Sequence, residues 1–230
     1  MTAKPPPDPA APPRSPWPGS AATAPARPPE VTARRLVARS RIFRVEAMDL
    51  IFSNGAQRTF ERILGGRDSV MVVPVLGAET LLLIREYAAG TDDYQLGFPK
   101  GIVDPGEDIL TAAGRELREE VGYAARRLCD LQRVTLAPGY IQHGTRLVLA
   151  QDLYPSPAPG DEPEPLEVVP WPLTDLDGLL ARPDFTEARS IAALFLARRY
   201  LQQAHQAPAA DGKGRSAPGN ASSPSPDETR

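Results

Sequence analysis

The chain has 230 residues, 41% of them hydrophobic, which is enough for one domain with a true core, and its 26 basic and 29 acidic side chains leave a net charge of −3. That balance provides no general field for nucleic acid, and the single cysteine, Cys129, excludes an internal disulfide and suits a reducing compartment as a small buried hydrophobe. No run of about 18 apolar residues is present and the first segment lacks the apolar core of a signal peptide, so a soluble, cytoplasmic protein with no membrane or nucleic-acid partner is expected.

The 27 prolines are unevenly spread. Residues 1–33 are dominated by Pro, Ala and small polar types and read as a disordered, partly polyproline arm; 206–230 read as a disordered tail. The foldable part is 34–205, with 34–66 as an N-terminal β part. Its basic run, Arg34, Arg35, Arg39, Arg41 and Arg44, reads as a solvated strand edge. Over 41–52, Ile42, Val45, Met48, Leu50 and Phe52 recur with an imperfect period of two, and Asn54-Gly55 supplies a turn into 57–64, so a β hairpin precedes the main domain. Residues 69–76 and 80–87 are near-continuous apolar runs, as expected of strands buried on both faces. Short or longer strands follow at 94–97, 128–136 and 145–153, the last two separated by the Pro138-Gly139 turn. A long acidic, proline-rich loop spans 154–165, ahead of a strand at 166–171. Leu173, Leu176, Leu179 and Leu180 space a short helix over 174–181, and an amphipathic helix closes the fold over 186–203. Three helices among irregularly alternating strands indicate an α/β sandwich on a mixed sheet.

The stretch Gly101–Tyr123, GIVDPGEDILTAAGRELREEVGY, concentrates the chemistry. Pro105-Gly106 favours a turn, Asp108 can cap a helix over about 109–121, and Gly122 fits the left-handed position beyond its end. At about 100° per residue, Glu116 and Glu120 lie about 40° apart with Glu119 about 60° to the other side, so three carboxylates share a face beside the apolar stripe Leu110, Ala113, Leu117 and Val121. Such carboxylates repel one another unless a cation lies among them. An all-oxygen set suits Mg²⁺ or Mn²⁺, which share their remaining positions with water and substrate phosphates. A solvated acidic helix is the plain alternative.

The full spacing shifts the balance between them. Glycine, five residues, Glu107, seven residues, then Arg115, Glu116, Leu117, Glu119, Glu120 and Gly122 would arise by chance about once in 10⁸ positions. The stretch resembles the Nudix box, with Tyr123 in place of its last bulky aliphatic residue, and the chain is similar to the Nudix hydrolases. Further stretches (FPKGIVDPGE, APGY, GDEPEPL and RPDFTEARSIAALFLARRYL) look like the bacterial NudE-type ADP compounds hydrolases.

The resemblance implies a Nudix α/β/α sandwich, with the box helix on one side of the sheet and the last helix on the other. It implies metal-dependent hydrolysis of the pyrophosphate linkage in ADP-linked compounds such as ADP-ribose, NADH and diadenosine polyphosphates, giving AMP plus a phosphorylated product, by a homodimer. The hairpin over 41–64, apolar on both faces, is expected at the dimer interface. Glu116, Glu119 and Glu120 become metal ligands, with a carbonyl near Lys100 or Gly101, while Arg115 orients a glutamate, Glu107. Pro138 matches a proline of ADP-ribose-type members, and Tyr140 a tyrosine of diadenosine-polyphosphate members; these two, with Arg85 and Tyr87, are the expected substrate contacts. Gly97 and Ala89 depart from the glutamate and arginine common in ADP-ribose pyrophosphatases. A strict ADP-ribose pyrophosphatase is therefore the alternative. A non-catalytic ligand-sensing module would usually have lost box glutamates that this chain keeps. Because the box glutamates are committed to metal, the general base is expected on the acidic loop: Glu162, with Glu164 as helper or extra ligand and Glu119 next in line.

Overall fold

A computed structural model of the chain describes residues 27–206; the expected arm up to 26 and tail from 207 lie outside them. In chain order the elements are β1 (Glu30–Arg39), β2 (Arg44–Ile51), β3 (Gln57–Leu64), β4 (Ser69–Leu76), β5 (Thr80–Ala88), β6 (Asp93–Gly97) and β7 (Lys100–Ile102). Then come α1 (Ile109–Glu116), a π-helical turn over Leu117–Val121, β8 (Tyr123–Val134), β9 (Ile141–Gln142), β10 (Thr145–Pro155), β11 (Glu167–Pro172), α2 (Leu176–Leu180) and α3 (Ala188–Gln206). The chain divides into two compact units. One runs to Ser69 and takes back Thr135–Thr145, and the other comprises Val70–Val134 and the chain from Arg146.

The first unit is a four-stranded sheet in the order β1-β2-β3-β9. The expected hairpin is its β2–β3 pair, in register from Val45 opposite Ile63 to Ile51 opposite Gln57. Asn54 Oδ1 accepts from the Ala56 N–H (3.0 Å), and Gly55 takes φ +80° in the turn. The hairpin is not alone, however. β1 pairs antiparallel with β2 and begins four residues inside the segment expected to be a disordered arm. Every residue of β1 is exposed, so no hydrophobic alternation announces it. Backbone pairing and charge hold it instead: Arg34 meets Glu46 at 3.1 Å and Arg35 meets Asp49 at 2.6 Å. The fourth strand, β9, joins β3 in parallel within a segment expected to be a turn. Gly65 permits this, because a Cβ there would collide with the Gln142 backbone.

The second unit is built on the sheet order β11-β5-β4-β10-β8, with β6 added to β5 and β7 to β4. Successive residues of a strand point to opposite faces, and both faces are covered. Met71, Val73 and Val75 of β4, Leu81 and Leu83 of β5, and Leu147 and Leu149 of β10 pack with Leu176 and Leu179 of α2 and Ala193, Leu194 and Leu201 of α3. Their neighbours Val70, Val72, Leu82, Ile84, Val148 and Ala150 pack with Ala112, Ala113, Leu117 and Val121 of the box helix. This is the expected α/β/α sandwich, and it explains why β4 and β5 read as unbroken apolar runs. Each fully buried leucine or isoleucine contributes roughly 1.5–3 kcal/mol. Cys129 is half-buried against the α3 side, not fully buried. Among the described residues no helix is long and apolar enough to cross a membrane.

One ion cluster ties β5 to the approach of α3. Arg85 donates through Nε to Glu167 (2.8 Å) and through Nη1 to Asp184 (2.5 Å), while Arg182 forks onto both Asp184 oxygens at 2.8 Å. The Arg182 hydrogen bonds, with help from Arg85, hold the Asp184 carboxyl down at about 2, against a burial effect that would raise it. A carboxyl lowered by folding stabilises the protein above its unfolded value near 3.8, and that stability is lost as pH falls towards 2. Asp184→Asn is therefore expected to cost on the order of 1 kcal/mol at neutral pH after solvent screening, a melting-temperature drop of about 2–4 °C. Thermal melts from pH 7 to pH 2 should show the gap to wild type closing below about pH 4.

Candidate active site

The site begins where β7 ends. Gly106 takes φ +81° in the turn, the Glu107 N–H donates to Asp104 O (3.0 Å), and Asp108 caps α1 by accepting from the Leu110 N–H at 2.8 Å. After Glu116 the helix widens into the π turn, which Gly122 closes at φ +80° with its N–H donating to Leu117 O. The straight-helix angles therefore do not hold beyond Glu116. The wider turn leaves Glu116 and Glu120 both buried, at 6% and 8% exposure, while Glu119 is half-buried. A solvated acidic helix is excluded by that burial.

Burial pushes Glu120 up to about 8; the Lys100 charge and the Lys100 N–H, which donates to Glu120 Oε2 at 3.1 Å, offset this only in part, and Glu116 and Glu162 add repulsion. Glu116 is raised for the same leading reason, with Arg115 opposing. Arg115 grips the region with its whole fork. Nε and Nη2 donate to the two Glu107 oxygens at 3.0 Å, Nη2 also reaches Ile102 O, and Nη1 donates to Glu116 (2.7 Å) and Glu119 (3.2 Å). The Glu107 carboxyl is held below its ordinary range by the Arg115 hydrogen bonds, and the guanidinium is raised chiefly by Glu107.

On the acidic loop, Glu162 and Glu164 line a small pocket together with Glu119, Gly160 and Leu166. Tyr94 Oη donates to Glu164 Oε1 at 2.5 Å. A second cavity, of about 380 Å³, is lined by Ile84, Tyr87, Leu96 and Gly97 of β5 and β6, by Glu187 and Ser190 beside the start of α3, and by Glu86 and Lys100. Lys100 joins the two regions: its Nζ meets Glu86 at 2.5 Å at the cavity, and its N–H reaches Glu120. The Glu187 carboxylate accepts from the Ser190 N–H (2.9 Å) and Oγ (2.7 Å) and pairs with Arg189, which together outweigh a burial effect that would raise it.

Residues 65–198 match the NUDIX domain, and residues 29–62 match the NudE-type Nudix hydrolase N-terminal domain. The chain belongs to the Nudix hydrolase family. It is 51% identical over 175 residues to the ADP compounds hydrolase NudE of Escherichia coli strain K12, covering 76% of this chain and 94% of that protein. The ADP-sugar pyrophosphatase of Mus musculus is 30% identical over 191 residues, covering 74% of this chain and 87% of its own length. A crystal structure of an ADP compounds hydrolase superposes with a TM-score of 0.75 at 49% identity, covering 79% of this chain and 98% of that one.

Members of this family use divalent metal ions, and the fit of one to the Nudix helix follows from the donors. Among the described residues no group of three or more His, Cys, Asp or Glu side chains is assembled to hold an ion. Arg115, whose Nη1 donates to both Glu116 and Glu119, supplies the positive charge there. The donors nevertheless suit a hard cation: they are carboxylate oxygens, two of them buried and mutually repulsive. Gly101 completes the fit, because a Cβ there would run into the Glu116 carboxylate.

Of the expected substrate contacts, Tyr87 lines the cavity, whereas the Arg85 guanidinium is engaged by Asp184 and Glu167. Pro138 and Tyr140 belong to the first unit, where Tyr140 O accepts from the Ile63 N–H at 2.8 Å. Sequence reasoning missed the Lys100 side chain, Glu187 and Tyr94. FPKG pointed only to a main-chain carbonyl near Lys100, and a glutamate ahead of a helix reads as a cap. Gly101→Ala and Glu120→Gln are expected to keep the fold by circular dichroism but to bind Mn²⁺ at least about tenfold more weakly by isothermal titration calorimetry, the first by displacing Glu116 and the second by removing a carboxylate charge.

Proposed function

We propose that this Nudix hydrolase cleaves the pyrophosphate linkage of ADP-linked compounds, giving AMP and a phosphorylated partner. The observation that carries this reading is the pair of buried, mutually repulsive carboxylates Glu116 and Glu120, joined through Lys100 to a cavity of about 380 Å³. The names of the relatives, an ADP compounds hydrolase and an ADP-sugar pyrophosphatase, support the substrate class. Such a cavity lies in the size range of small-molecule sites, and its apolar walls of Ile84 and Leu96 with a few polar groups suit part of a nucleotide.

Glu116, Glu120 and Glu119 would hold Mg²⁺ or Mn²⁺, which when bound neutralises phosphate oxygens and acidifies a neighbouring water. Glu162 takes the proton from the water attacking phosphorus; a new O–P bond forms, the bridging O–P bond breaks, and the second phosphate leaves with the electron pair. Glu164 assists, and Glu119 is the next candidate base. Arg115 keeps Glu107 and Glu116 in place. Tyr87 contacts substrate, as do Arg85, Pro138 and Tyr140 in the reading taken from the family. The absence of a glutamate at Gly97 and an arginine at Ala89 favours a broad ADP-compound range over strict ADP-ribose specificity. The working compartment is the cytoplasm.

We propose also that two copies form a homodimer through the first unit. β1 is an edge strand exposed along its whole length, and Leu36, Val37, Ile42 and Phe43 are exposed there. Light scattering of the full chain at micromolar concentration is expected to give the mass of a dimer, and a monomer would overturn this.

Incubation with ADP-ribose, NADH and diadenosine triphosphate, each with Mg²⁺ or Mn²⁺, is expected to release AMP from all three. Turnover of ADP-ribose alone would favour the strict pyrophosphatase. Glu162→Gln is expected to lower kcat by about 10²-fold or more with little change in KM; if both it and Glu164→Gln keep normal kcat, the base lies elsewhere.

A further inference from the structure

The acidic loop between β10 and β11 is fastened at both ends. At its start the Ser156 N–H donates to Gly122 O (2.9 Å) and the Ala158 N–H to Arg118 O (3.1 Å), while Arg118 Nε donates to Ser156 O (3.2 Å), so this end is stitched to the Nudix helix. At its far end the attachment is the Tyr94 hydroxyl on Glu164. Between these anchors Glu162 folds back over Gly160. A Cβ at Gly160 would collide with the Glu162 carboxylate and lie 3.6 Å from Glu119 O, which puts this carboxylate at the end of the helix that bears Glu119 and Glu120.

Two features make the far anchor matter to Glu162. Glu162 precedes Pro163 and Glu164 precedes Pro165, so the helical region is disfavoured for both glutamates and each proline fixes its own φ. The segment Glu162–Pro165, which bends at Pro163 and Glu164, therefore has little backbone freedom, and a pin at Glu164 restricts where Glu162 can stand. Tyr94 is itself held. It faces Tyr87 directly across the β5–β6 pair, with ring centroids 5.6 Å apart in an edge-on arrangement.

We propose that Tyr94 is a positioning residue for hydrolysis, its hydroxyl holding Glu164 so that Glu162 stands at the carboxylate end of the Nudix helix. The inference rests on the reading of Glu162 as general base. Nothing in the Nudix box or in the names of the relatives assigns a role to this tyrosine.

Tyr94→Phe removes only the hydroxyl and keeps the ring against Tyr87. With the best substrate of the panel and its preferred metal, the variant is expected to show kcat lowered about tenfold and KM within about threefold of wild type. Added to Glu162→Gln, it should lower kcat by less than about twofold more, because no base remains to be positioned. Wild-type kcat in Tyr94→Phe, or an undiminished tenfold loss in the Glu162→Gln background, would overturn the proposal. The two readings fail separately. Normal kcat in Glu162→Gln removes the base and with it the role of Tyr94, whereas an impaired Glu162→Gln beside an unimpaired Tyr94→Phe removes the role of Tyr94 alone.

Discussion

The constraint on which the second unit depends is the removal of Glu116 and Glu120 from water. Burying a carboxylate costs several kcal/mol unless charge or hydrogen bonds compensate. The chain meets that cost with the Arg115 fork, which spans Glu107, Glu116 and Glu119, and with the Lys100 N–H on Glu120. Neither is sufficient, since both buried carboxyls remain raised. The uncompensated part of that cost lies at the end of a helix whose apolar stripe is packed onto the sheet. The packed face fixes where the carboxylates stand.

Local backbone devices surround these carboxylates. The π turn sets where Glu120 stands, the left-handed Gly122 ends that turn, and the bare Gly101 leaves room for the Glu116 carboxylate.

What the sequence made legible followed from periodicity and fixed spacing. The doubly buried strands β4 and β5, the capped box helix ending at Gly122, and α3 were all readable, because burial on two faces and helix-end chemistry leave direct signs in residue type. β1 is only half legible: its arginines suggest a strand edge, but with every residue exposed it carries no apolar alternation, so its first residues read as part of the arm. β9 is two residues long and depends on a partner far back in the chain. Within the site, the glutamates and Arg115 were legible through their spacing. The Lys100–Glu86 and Tyr94–Glu164 contacts join residues brought together only by sheet register and loop path, and no local pattern encodes them. The π turn, which has no signature in residue type, departs from the angles of a straight helix.

The pairing of Ile63 with Ile141 bears on how the molecule is made. A sheet that borrows its last strand from beyond β8 stays one member short while the ribosome is still producing the Nudix helix. Closing so long a loop costs entropy before the pairing returns any, so this contact belongs among the slow, non-local steps. For the same reason the N-terminal sheet is not a detachable module. A cut after Leu64 would release three strands with one side of β3 uncovered, an edge open to pairing with another chain. Continuity along the polypeptide and membership of a folding unit are different things in this protein, and the borrowed strand is where they part.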